Sequence, residues 1–508
     1  MPQYPAGRVP SLSRRTLLRV AGTGAVVVGV AGVAACVPSR GSNDRGANAV
    51  PGGTAGSAFA PPPELRSSGG RLDLTLIASA RMVPWGDGTR FALIYNGTVP
   101  GPTLRVRPGD VITLTLRNEL DSATNLHTHG LHVSPEGTSD NVFVMVEPGQ
   151  EFTYTYHLPT DHPSGTFWYH PHHHGQVASQ LSGGLAGVIV VEDDLDQLPE
   201  LAATDERVLV LSDPAIGDSA SVVSAPMSEQ MQGREGDVVL VNGELQPRIA
   251  TTTGGVERWR LVNASASRYY RLRVADHPFH LIASEHGRLG QPVVVDDLLL
   301  VPGQRAEVLV APTRAGSYVL STASVDRGSM RMGGGMGGGG MGAGGGASAT
   351  SAAADLLTLD VSGDPTGTPA LPTQLRTITT PPRTDATRTL SLGAMGMGQG
   401  QFVIDGKAFQ PGRIDTTARL GTTEEWTIRN DSMMDHPFHL HVWPFQVVAR
   451  SGGQALDPGS KDTVNVPAGQ SVTIRVTFAD FAGTTVYHCH ILDHEDLGMM
   501  GTIDVQQA

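Results

Sequence analysis

The stretch Val111-Ile112-Thr113-Leu114-Thr115-Leu116-Arg117-Asn118 alternates apolar and polar residues and closes on an asparagine. A period of two predicts a half-buried strand, with one face on a core and the other toward water. The same pattern returns from Val256 to Asn263 and from Glu424 to Asn430. Upstream of the three copies stand Asn96-Gly97 with Pro100, Asn242-Gly243 with Pro247, and Asp405-Gly406 with Pro411. Downstream come the turns Gly149-Gln150, Gly303-Gln304 and Gly469-Gln470, then glycines that each start a further strand: Gly165, Gly316 and Gly483. Repeats on the order of 120 to 180 residues are whole domains rather than solenoid units. Short alternating strands between turn signals predict β-sandwiches. The expected architecture is all-β, in three consecutive sandwiches at 70–197, 198–365 and 366–508. The 63 Gly and 35 Pro of this 508-residue chain fit so turn-rich a fold.

The first and third copies carry His-x-His pairs: His127/His129, His170/His172, His439/His441 and His488/His490. Residues two apart on a strand face the same way, so each pair can aim two imidazoles at one point. Eight imidazoles suit copper, iron, nickel or zinc, but exceed what one ion needs, and so imply a cluster. Zinc does no redox work and closes its structural sites with four ligands, which disfavours it. Cys489, between His488 and His490, points to the opposite face and toward a different metal. His436, His494 and Met499 stand near it in sequence. Two His, one Cys and a weak axial Met form the ligand set of a blue-copper electron-transfer site. A redox metal would then lie a few covalent bonds from the cluster.

The runs at 127–130 (His-Thr-His-Gly), 167–175 (Phe-Trp-Tyr-His-Pro-His-His-His-Gly), 436–441 (His-Pro-Phe-His-Leu-His) and 488–500 (from His488 through Met500) resemble the four signatures of the multicopper oxidases. The resemblance spans about residues 70 to 508 and implies cupredoxin-like Greek-key sandwiches. It implies four coppers per chain: type 1 on His436, Cys489, His494 and Met499, and type 2 on His127 and His439. The type 3 pair would sit on His129, His170, His172, His441, His488 and His490. Thr128 stands where this family most often has Trp. The resemblance further implies one-electron oxidation of a reducing substrate, coupled to four-electron reduction of dioxygen to water. Glu495 resembles the family's proton-relay carboxylate, and Asp140 is a second candidate. The expected partners are dioxygen and a reductant, either Cu(I) or a small aromatic.

The middle copy has Ser321, Thr322 and Ala323 where the third has its His-Cys-His, so it is expected to bind no metal and to act as a spacer. Its run Asp276-His277-Pro278-Phe279-His280 echoes residues 435–439 but lacks the partner Cys and His. His173 and His174 follow two candidate ligands, and surface or hydrogen-bonded roles are expected of them.

Net charge is −13, which argues against nucleic acid as a partner. Arg14-Arg15 precedes an apolar run from Val20 to Ala35 that is short for a membrane span. This predicts a twin-arginine export signal over 1–36 and an extracytoplasmic location. Cys36 ends a Val33-Ala34-Ala35-Cys36 run resembling a bacterial lipobox, so lipidation there would supply the one membrane attachment. Residues 37–69, rich in Gly, Ala, Pro and Ser, are expected to form a disordered tether.

The substrate is addressed by methionines. Met330, Met332, Met336 and Met341 lie in a Gly-rich run, with Met395 and Met397 in a second cluster. Thioethers select Cu(I). Met433 and Met434 precede His436, which resembles cuprous oxidases, where a Met and an Asp before this His hold substrate copper. Here Ser432 occupies the Asp position, and Asp431 and Asp435 flank it closely. Met434 and Asp431 are therefore candidate substrate residues, with the four methionines of the run. The rival expectation is laccase-like oxidation of phenols and aromatic amines. A non-catalytic exported copper-binding scaffold is the remaining alternative.

Overall fold

The computed structural model describes residues 56–192, 196, 198–214, 225–329, 349–376, 383–394, 402–453 and 459–507. Cys36, the export segment, and Met330, Met332, Met336, Met341, Met395 and Met397 lie outside the described residues.

Each copy of the repeat is a pair of sheets around its own apolar core. In all three, the Asn-Gly or Asp-Gly pair has positive φ at both residues (50° and 87°, 52° and 80°, 51° and 70°). That is the primed turn whose twist matches a hairpin. The strand-ending asparagines recur as one device. The amides of Asn118, Asn263 and Asn430 donate to the carbonyls of Gln150, Gln304 and Gln470. Their side chains donate to Val146, Leu300 and Val466. Each asparagine thus ties its strand to the following Gly-Gln turn.

The sheet that presents the histidines has the same plan in the first and third sandwiches. His127–His129 pairs antiparallel with Gly165–His170, placing His127 opposite His170. His436–Leu440 pairs antiparallel with Gly483–Cys489, placing His439 opposite His488. In the middle sandwich Gly316–Ala323 occupies the corresponding strand and pairs with Tyr270–Val274. The His277–His280 echo lies elsewhere: Phe279–Ser284 belongs to the other sheet, beside Arg305–Val310. His277 bonds the Ala275 carbonyl and sits against the Tyr318 ring.

Part of the expected tether is strand. Glu64–Arg66, within the expected 37–69 tether, pairs in parallel with Thr103–Arg105 on a sheet edge. Leu65 packs on the first core, which a composition-based reading undervalues in a short segment. No helix among the described residues is long and apolar enough to cross a membrane.

The sandwiches also join one another. Trp168, Val177, Leu181 and Val188 of the first form one buried cluster with Val208, Val210 and Val262 of the second and Leu492 of the third. Asp496 of the third accepts the amides of Gly175 and Ala178, at the start of helix Val177–Ser182 in the first. His132 bonds the Val442 carbonyl and the Asp480 carboxylate across the same boundary.

Candidate metal centre

Strand alternation sorts the third sandwich's ligand candidates onto two faces. His436 and Cys489 turn into the side occupied by the core, while His439, His441, His488 and His490 turn toward the first sandwich. Three donor atoms meet on the core side. Cys489 Sγ lies 3.4 Å from His436 Nδ1 and 3.8 Å from His494 Nδ1, and the two nitrogens are 3.3 Å apart. His494 reaches this point because the short helix Leu492–Asp496 folds back under the strand. Met499 is buried beside them, its carbonyl accepting from the Cys489 amide and its amide donating to the His494 carbonyl. This group could hold one soft ion.

On the other face the eight paired histidines of the two sandwiches converge. His127, His129 and His439 form one group able to share an ion; His129, His170 and His490 form a second, and His172, His441 and His488 a third. His488 Nε2 lies 3.2 Å from His172 Nε2 and 3.1 Å from His441 Nε2. The His127 ring stacks on His441, and His129 on His439, each at 3.9 Å between centroids.

Five of the eight rings are held at one nitrogen from outside the cluster. His127 Nδ1 is 2.9 Å from Asp140, His129 Nε2 2.9 Å from Asp462, and His170 Nδ1 2.8 Å from the Pro171 carbonyl. His439 Nδ1 is 2.9 Å from the Asp462 carbonyl, and His488 Nδ1 3.0 Å from the Cys489 carbonyl. Yet His127 Nε2, His129 Nδ1, His170 Nε2, His439 Nε2 and both nitrogens of His490 are buried with no hydrogen-bond partner. Orphaned buried polar atoms are costly and uncommon. A group of them aimed at common points, five of the eight rings held from behind, could serve as the donor set of a metal cluster. Burial lowers the affinity of His127, His129, His170, His441 and His490 for protons, so they rest as the neutral imidazoles that ligation needs. Burial takes His172 down to about 4 and His436 to about 3. It pushes the Cys489 thiol up, so the thiolate depends on a cation beside it.

Two carboxylates sit differently. Asp140 accepts from His127 and from the Thr128 amide (2.8 Å) and hydroxyl (3.1 Å), so it orients His127. Burial raises it to about 7 against those Thr128 bonds. Glu495 is fully buried, 3.1 Å from His488 Nδ1 and 3.5 Å from His172 Nε2, with neither oxygen in a hydrogen bond. Burial would raise its carboxyl, but the imidazoles of His172 and His488 hold it at about 2.

The expected substrate residues separate. Met434 is 0% exposed in the third core, whereas Met433 is 55% exposed. Asn430 and Ser432 both bond the Met434 carbonyl, and this turn directs Met434 inward. The thioether that reaches solvent is therefore that of Met433, and the assignment of Met434 as a substrate residue is corrected. Asp431 is exposed and held by Arg429. The residue touching the outer edge of His436 is Ser432, its hydroxyl 2.9 Å from Nε2. The described ends of the Met/Gly run come to the same place. The Ser329 amide donates to the Met433 carbonyl (3.2 Å), and the Ala349 amide to that of Gly328 (2.9 Å).

Sequence reasoning missed Asp462, Arg305 and Glu285, which back the cluster. Arg305 holds Asp462 with two bonds (2.8 and 2.6 Å), and Glu285 accepts the amides of Asp462 and Thr463. No local pattern marks them, since they meet only through tertiary contacts. A cleft of about 520 Å³ between the first and third sandwiches is lined by His172, His173 and His174 together with Phe143, Phe409 and Ile414.

Comparison with known proteins agrees with this geometry. Family models described as multicopper oxidase match residues 78–196, 205–334 and 369–508. The chain is similar to the multicopper oxidase mco of Staphylococcus aureus, 30% identical over 81% of this chain and 83% of the relative. It is also similar to the cell division protein FtsP of Rahnella sp. (strain Y9602), 31% identical over 98% of this chain and 100% of that protein. Among solved structures, the multicopper oxidase of Campylobacter jejuni, titled a metallo-oxidase, superposes with a TM-score of 0.77 at 28% identity, covering 89% of this chain and 96% of that one. A laccase from Pediococcus acidilactici gives 0.74 at 30% identity, covering 90% and 94%. On its three matched domains and its mco relative, this chain belongs to the multicopper oxidase family.

Proposed function

We propose that the chain is a four-copper oxidase that draws electrons from Cu(I), and also from phenols and aromatic amines, and reduces dioxygen to water. The observation that carries this reading is the placement of Cys489 among three donor atoms on one face of its strand, with His488 and His490 in the cluster on the other. His436, Cys489, His494 and Met499 would hold type 1 copper; His127 and His439 type 2; His129, His170, His172, His441, His488 and His490 the type 3 pair. Copper so bound supplies one-electron redox steps at the first site and multi-electron reduction of dioxygen at the cluster.

The chain's own residues supply the rest. His436 turns its outer edge toward Ser432, beside exposed Met433, where a donor can approach. Cys489 joins that edge to His488 and His490 through its own backbone. Glu495, unbonded and against two cluster histidines, is placed to carry protons, while Asp140 fixes His127. The cleft beside His172 offers dioxygen and water an approach.

The Cu(I) preference, and with it a role in copper tolerance, is supported by Met433 and by the Met/Gly run, whose ends are pinned to the Met433 and Gly328 backbones. Export by the twin-arginine route and lipidation at Cys36 complete the reading, placing the enzyme outside the cytoplasm. The likeness to a cell division protein keeps the non-catalytic copper-binding scaffold as the second reading, which turnover separates from the first, since such a scaffold would hold copper without consuming oxygen. Oxygen uptake by the copper-loaded chain, with Cu(I), Fe(II) and a phenol side by side, tests the proposal. Uptake is expected with Cu(I) and the phenol. A copper-loaded chain that consumes no oxygen with any donor would favour the scaffold reading, and a chain that binds no copper would refute both.

A further inference from the structure

We propose that the ligand-free middle sandwich determines which ring nitrogens two cluster histidines present, and that Arg305 is the positioning residue through which it acts. This rests on the copper reading above.

Arg305 opens the middle-sandwich strand Arg305–Val310 and is fully buried where the three sandwiches meet. Its Nε donates to the Thr166 carbonyl of the first sandwich (3.1 Å). Its Nη1 and Nη2 grip the two oxygens of Asp462 in the third, at 2.8 and 2.6 Å. A two-pronged guanidinium–carboxylate pair fixes the plane of the carboxylate as well as its position. Oδ1 is thereby left aimed at His129 Nε2, 2.9 Å away, while the Asp462 carbonyl lies 2.9 Å from His439 Nδ1.

Both Asp462 atoms are acceptors, so each imposes a proton on the nitrogen it faces. His129 is fixed with its proton on Nε2 and Nδ1 free; His439 is fixed the other way round. The free nitrogens are the ones found buried without partners. One residue thus sets opposite tautomers on two adjacent ligands, one from each of the two metal-bearing sandwiches. The opposite tautomer at either would aim an N–H at the metal position.

The middle sandwich braces Asp462 from several sides. Glu285 Oε2 accepts the amides of Asp462 (2.8 Å) and Thr463 (2.9 Å), and Gln304 Nε2 donates to the Thr463 carbonyl (3.0 Å). Gly303 touches the cluster directly. At φ +84°, a Cβ there would stand 2.8 Å from the His490 ring, so only glycine allows this approach. The domain expected to be a spacer therefore backs three cluster ligands.

The test uses the full-length chain loaded with copper and the variants Arg305→Met, Arg305→Lys and Asp462→Asn. The blue absorption of the Cys489 site reports one metal position. Copper per chain, its retention against a chelator, and the type 2 paramagnetic resonance signal report the other. Arg305→Met should keep the blue absorption and bind cluster copper about 10- to 100-fold more weakly, the usual effect of losing a partner behind a ligand. Arg305→Lys should recover part of that affinity, since it keeps the charge but not the fork. Asp462→Asn can turn an N–H toward His129, and should lose cluster copper while keeping the blue site; it carries the test if Arg305→Met does not fold. Cluster copper within twofold of the parent in Arg305→Met or Asp462→Asn overturns the proposal. So does loss of blue absorption and cluster copper in step, which would mark a purely structural role. A parent chain that binds no copper defeats the copper reading instead.

Discussion

Replacing Glu495 with Gln preserves the volume and shape of a fully buried side chain and removes only its capacity to carry a proton. The carboxylate stands 3.1 Å from His488 Nδ1 and 3.5 Å from His172 Nε2, and neither oxygen is hydrogen-bonded. Burial would raise its carboxyl, but the neighbouring His172 and His488 hold it low, at about 2, so it stands as a carboxylate facing two cluster histidines, placed to take up a proton and pass it on. A positioned proton carrier contributes about 10²- to 10⁴-fold, roughly 2.7 to 5.4 kcal/mol of barrier. The assay is stopped-flow in two halves: anaerobic bleaching of the blue absorption by a donor, then recovery when oxygen is admitted. Glu495→Gln should bleach at the parent rate and recover about 10²- to 10⁴-fold more slowly. Recovery within threefold of the parent, with copper content intact, would refute a relay at Glu495. Slowing of both halves alike would assign Glu495 to the structure of the centre rather than to proton supply.

Cys489→Ser should abolish the blue colour and donor oxidation while the histidine cluster keeps its copper, checked by visible absorption and metal analysis. Chelation of the parent should remove the blue colour, and copper alone should restore it. Met433→Ser, at an exposed position, should leave stability within about 0.5 kcal/mol and lower kcat/KM for Cu(I) more than for a phenol. Met434→Ser, in the third core, should instead cost about 2 to 5 kcal/mol of stability in denaturant titrations. Mass spectrometry of membrane-fraction protein should find a diacylglyceryl-modified Cys36 at the mature N-terminus. A soluble mature chain starting elsewhere would refute that assignment.

Period-two alternation in Val111–Asn118, with its two later copies, was enough to establish three sandwiches, because strand faces and hairpin turns are set by neighbouring residues. The two-sided use of the His488-Cys489-His490 strand was equally legible, since opposite facing of adjacent residues follows from an extended backbone. Other features depended on contacts between residues far apart in sequence. Alternation could not say that the turn at Asn430 and Ser432 would send Met434 inward and leave Met433 outside. Residues 276–280 copy the spelling of 435–439, yet the chain lays Phe279–Ser284 in the opposite sheet. Asp462 and Arg305 stand 157 positions apart, and His129 lies 333 before Asp462, with no motif to join them. Which nitrogen each histidine presents is thus decided by partners that only the docking of three sandwiches brings within hydrogen-bond range. The candidate ligands were legible in local spacing; the orientation of their rings was left to tertiary structure, because a hydrogen bond reads distance in space and not separation along the chain.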